Sequence, residues 1–70
     1  MAGDKFKNGA IVIEADLQMK RPDEIIVLGM SPGAAQPFFT GRYQSLELGW
    51  MHGRYFGNVN EALYDYMERI

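Results

Sequence analysis

Few residues in this chain have side chains suited to chemistry, and their spacing limits what they can do. His52 is the only histidine and the natural candidate for a general base. A base also needs an orienting partner within hydrogen-bond reach, and nothing at fixed spacing supplies one, so His52 reads as a surface or packing residue. Glu14 and Asp16 alternate along one extended segment and share a face. One strand does not by itself build a catalytic carboxylate pair or a cation cage, so they read as a solvated face. The run Gly29-Met30-Ser31-Pro32-Gly33-Ala34-Ala35 offers glycine amides that could cradle an anion. It lacks the lysine and Ser/Thr ending of a P-loop and the three-glycine spacing of a dinucleotide turn, and reads as a plain connection. With no cysteine there is no thiolate site. These residues give no catalytic, metal or cofactor assignment, and the chain reads as a non-enzymatic protein.

A second set carries recognition chemistry rather than reactivity. Arg42 and Arg54 lie among Tyr43, Trp50, Tyr55 and Phe56. Aromatic side chains on a sheet beside arginines stack unpaired bases in single-strand nucleic-acid modules. The formal net charge of −2 gives no field that would gather nucleic acid, and no ribonucleoprotein-type motif is present, so this stands as the alternative reading.

The elements that must position these residues follow from periodicity. Ile11, Ile13, Ala15 and Leu17 alternate with Val12, Glu14 and Asp16, which predicts a strand over 10–17 with one buried face. Arg21-Pro22-Asp23 predicts a reversal. Ile25-Ile26-Val27-Leu28 is apolar on both faces and predicts a central strand over 24–30. After the 29–37 loop, 38–44 and 49–56 read as aromatic-rich strands joined by a short hairpin connection, with Gly41 and Gly53 marking bulges or close approaches. Val59, Ala62, Leu63, Tyr66, Met67 and Ile70 repeat at helical spacing, with Asn58 as N-cap, Glu61 in the first turn and Arg69 in the last.

The fold class is therefore α+β: a four-stranded antiparallel sheet, in two hairpins, with one C-terminal helix packed on one face. Residues 1–9 read as a flexible arm unless Phe6 docks, and 10–70 as one domain. One helix leaves a second sheet face that nothing else in the sequence is expected to cover. Strict alternation puts His52 beside Trp50, Arg54 and Phe56 and turns Trp50 and Tyr55 to opposite sides. Trp, Tyr, Arg and Met are enriched in interface cores, so Phe38, Arg42, Trp50, His52 and Arg54, with Tyr64 on the helix, are the expected partner-binding residues. The expected partner is a protein, a second copy of the chain included.

Seventy residues, 47% apolar and 13% aromatic, suit one small folded unit. No apolar run follows the charged start, none approaches a membrane span, and the lack of cysteine fits a cytoplasmic address. In format this composition resembles small proteins of phages and mobile elements, including some anti-CRISPR inhibitors. That resemblance implies an inhibitor or adaptor and rests on no particular residue.

Overall fold

A computed structural model describes residues 1–18, 20 and 23–70. Four strands, β1 (Ile11–Ala15), β2 (Ile26–Met30), β3 (Phe38–Ser45) and β4 (Gly49–Phe56), precede the helix α1 (Val59–Arg69). They form one antiparallel sheet in the order β1-β2-β3-β4, with α1 against one face. The expected α+β architecture is thus present. The reversal expected at Arg21 and Pro22 lies outside the described residues.

The sheet has two dissimilar cores. On the helix face Ile26 and Leu28 of β2 meet Ala62 and Tyr66 of α1, with Phe38, Phe56 and Ile70 around them. On the opposite face Val12, Val27 and Phe39 meet Ala10 and Phe6, with Tyr43, Leu46 and Trp50 packed alongside. Phe6 is 2% exposed, so this second face is closed by the N-terminal segment itself.

Backbone hydrogen bonds explain why that segment closes. Gly3 N–H donates to Val12 O at 2.8 Å, and Asp4 O accepts from Val12 N–H at 2.9 Å, laying residues 3–5 along the outer edge of β1. Phe6 N–H donates to Ala10 O, and Ala10 N–H donates to the Asn8 side chain at 3.0 Å, which tightens the return through Gly9 at φ 98°. Lys7 N–H then reaches Leu46 O in the β3-β4 connection at 2.8 Å. Residues 1–9 are part of the packed body rather than an appended arm. The accessible surface of 4418 Å² for 8.0 kDa agrees with the ~4,450 Å² that the scaling of compact monomers gives.

Two bulges overturn the face assignments made by strict alternation. In β1 the register shifts between Val12 and Glu14, and it is Val12 that is buried while Ile13 and Leu17 are exposed. Across this shift Val12, expected outward, and Ala15, expected inward, both pack on the core that Phe6 closes. Asp16 is buried rather than solvated: its Oδ2 accepts Lys20 N–H at 3.1 Å and so holds the turn after β1. In β4, His52 and Gly53 together oppose Gly41, because Arg42 pairs with Met51 and Thr40 with Arg54. His52 takes φ 54° in this bulge. A residue inserted on one strand reverses the parity of everything beyond it. Trp50 and Tyr55 consequently share the Phe6 face, where Trp50 Nε1 donates to Tyr55 Oη at 3.3 Å, while Arg54 turns to the helix face.

The glycines inside the strands mark close approaches. The indole of Trp50 lies over Gly41, where a Cβ would stand 2.5 Å from Trp50 Cδ1, and the ring of Phe39 lies over Gly29 in the same way. Phe39 and Trp50 then stack at 3.8 Å between centroids, and Phe6 meets Trp50 edge-on at 4.9 Å.

Candidate functional site

Helix α1 begins as its sequence directs: Asn58 is extended, and its side chain accepts Glu61 N–H at 2.9 Å. Its seating on the sheet differs from the expected one. Of the apolar stripe, Ala62 and Tyr66 are buried and Ile70 packs beside them, whereas Val59, Leu63 and Met67 are 40%, 41% and 64% exposed. A polar network sets this rotation. Thr40, 0% exposed, donates its hydroxyl to Asp65 Oδ2 at 2.6 Å and accepts Arg69 Nη1 at 3.0 Å. Arg54 Nη1 reaches Asp65 Oδ1 at 2.9 Å, and Arg69 Nη1 also reaches His52 O at 3.0 Å. These bonds draw the Asp65 and Arg69 side of the helix toward β3 and β4. Among the described residues α1 packs on β2, β3 and β4 and not on β1. Its Val59, Leu63 and Met67 row is left outward, and Tyr64, 71% exposed, stands beside Met67 and Glu68.

Burial pushes the Asp65 carboxyl up, but hydrogen bonds from Thr40 and Arg54, with the charges of Arg54 and Arg69, outweigh burial and hold it below its ordinary value. Tyr66 shifts upward, first through burial and then through the negative charges of Glu14 and Asp16.

The six residues expected at a partner surface fall into four places. Arg42, His52 and Arg54 come together with Glu24, Ile26 and Arg69 around an open groove of about 210 Å³ beside the C-terminal end of α1. Trp50 is on the other face, stacked on Phe39 and bordering a shallow depression with Leu48 and Tyr55. Phe38 packs against the core under the helix. Tyr64 stands on the outer surface of α1. The bulge in β4 thus splits the arginine and aromatic set that sequence alternation had placed together. The exposed row at Val59, Leu63 and Met67 was missed because helical periodicity marks an apolar stripe without saying how much of it the sheet covers.

Two amides of the 31–37 loop are used within it: Ser31 N–H donates to Pro37 O at 2.6 Å, and Ala34 N–H donates to Ser31 O at 3.2 Å. Glu14 and Asp16 are separated by their surroundings, one exposed and the other capping a turn. No group of three His, Asp or Glu side chains suited to a metal ion occurs among the described residues, and no helix there is long and apolar enough to cross a membrane. Comparison of the chain with protein-family models, with curated proteins and with solved structures gives no match.

Proposed function

We propose that this protein is a small protein-binding module that docks through the outer row of α1. The observation that carries the reading is the exposure of Val59, Leu63, Met67 and Tyr64 on a helix of 11 residues. Isolated exposed apolar side chains are ordinary, but contiguous ones at i, i+4 and i+8 form the anchor row by which an amphipathic helix fills an apolar groove. Tyr64 adds a large apolar ring with a polar end at the margin.

The rim of this row selects the partner. Glu61 and Glu68 stand in solvent on the Tyr64 side of it, while Asp65 is neutralised by Arg54. A second copy would bring two acidic rims together, whereas an apolar groove bordered by lysine or arginine complements them. The fitting partner is a different protein with a basic-rimmed groove. A module that works by occupying such a groove acts as an inhibitor or an adaptor.

Capture from native lysate, compared between the wild-type chain and Leu63→Asp/Met67→Asp, tests this directly. The expected result is a specific protein whose capture is lost in the double variant while circular dichroism is unchanged. Equal capture by both proteins overturns the helix row as the docking surface, and dimerisation by light scattering overturns the choice of a different partner.

A further inference from the structure

We propose that the groove between β4 and the C-terminal end of α1 is a binding site for a phosphoryl group. Three guanidinium groups, Arg42, Arg54 and Arg69, border this groove, in a chain whose formal net charge is −2. Glu24 stands opposite Arg42, and Asp65 opposite Arg54. Holding like charges together opposes folding unless something neutralises them, and a bound anion does so.

Two of the three guanidinium groups are already hydrogen-bonded within the protein. Arg69 is pinned by Thr40 Oγ1 and His52 O, and Arg54 by Asp65, so both forks are oriented before a ligand arrives. Arg42 is different: its Nε lies 3.9 Å from Glu24 Oε1, too far for a hydrogen bond, which leaves its donors available for a ligand. Ile26, buried at the base, supplies an apolar floor. Guanidinium forks match both carboxylate and phosphoryl oxygens. A carboxylate presents two oxygens and satisfies one fork, whereas a tetrahedral phosphoryl group engages forks from different directions at once. Three arginines around one opening favour the tetrahedral anion.

The test is an amide chemical-shift titration with inorganic phosphate at constant ionic strength, with phenyl phosphate and acetate as parallel arms. Saturable shifts are expected at Arg42, His52, Gly53, Arg54 and Arg69, with phosphate bound more tightly than acetate by about tenfold, the scale of one charge-assisted hydrogen bond. Tighter binding of phenyl phosphate marks a phosphate monoester as the source, and tighter binding of the free ion marks inorganic phosphate. Arg42→Gln lowers the affinity about tenfold by the same measure, and Glu24→Gln, which removes the competing carboxylate, raises it severalfold. Met67→Lys leaves it unchanged, which keeps this site's test separate from that of the helix row. Shifts that rise without saturation, that appear equally at Lys5 and Lys7, that are the same for acetate, or that ignore both groove variants overturn the proposal.

Discussion

The two faces of the sheet are closed by different means. The face under Phe6 is sealed by aromatic contact, with Phe39, Trp50 and Phe6 meeting ring to ring over Gly29 and Gly41. The face under α1 is sealed by a mixed aliphatic and aromatic cluster around Ala62 and Tyr66 and by a polar bolt from Thr40 to Asp65 and Arg69. Aromatic burial is undirected and yields stability in proportion to area, whereas a buried hydroxyl with two partners fixes orientation. One lid is therefore held by how much it buries and the other by where it must sit. That is why the helix keeps apolar side chains outward.

The largest effect that would break this contrast is on the aromatic face. Phe6→Ala should cost about 3–5 kcal/mol, since it empties the centre of that core, and urea denaturation with near-ultraviolet circular dichroism of Trp50 would record it. A loss below 1 kcal/mol would mean that the N-terminal segment does not close the sheet. Gly41→Ala is next. The added methyl meets the indole of Trp50, and about 1–3 kcal/mol is expected from overpacking.

Thr40→Val probes the polar lid. It keeps the shape while removing a donor for Asp65 and an acceptor for Arg69, at a cost of about 1–3 kcal/mol. An unchanged urea midpoint would show that the network does not hold the helix. Acid sharpens the same point. The folded Asp65 carboxyl is held below its unfolded value, so its stabilising contribution is complete above about pH 4 and fades as pH falls through the folded pKa. Asp65→Asn should flatten that part of the profile of urea midpoint against pH. Smallest of all is Met67→Lys on the outward row, which should leave stability within about 0.5 kcal/mol as read by thermal melting.

The four strands, the helix and its cap were legible because each rests on local pattern: β-branched runs, glycine-proline punctuation, and an asparagine three residues before Glu61. The faces were not. Gly53 marked a bulge or a close approach, but nothing local in Met51-His52-Gly53 says which of the two it is, and the single insertion found there moves Arg54 away from Trp50. The closure by Phe6 was equally hidden, because one phenylalanine in a polar stretch signals docking only if a cavity of its shape exists elsewhere in the chain. Likewise, the gathering of Arg42, Arg54 and Arg69 joins residues from two strands and a helix, a juxtaposition set by register and helix rotation.

The bulge has one more result, which concerns crowding rather than recognition. An outermost strand with free amides and carbonyls invites neighbouring molecules to extend the sheet. Here the first strand is shielded by residues 3–5, while the last is kinked at His52 and has the carbonyl there occupied by Arg69. Both margins of the layer thus carry their own stopper. A chain this small can be concentrated without offering its neighbours a straight template for runaway strand addition.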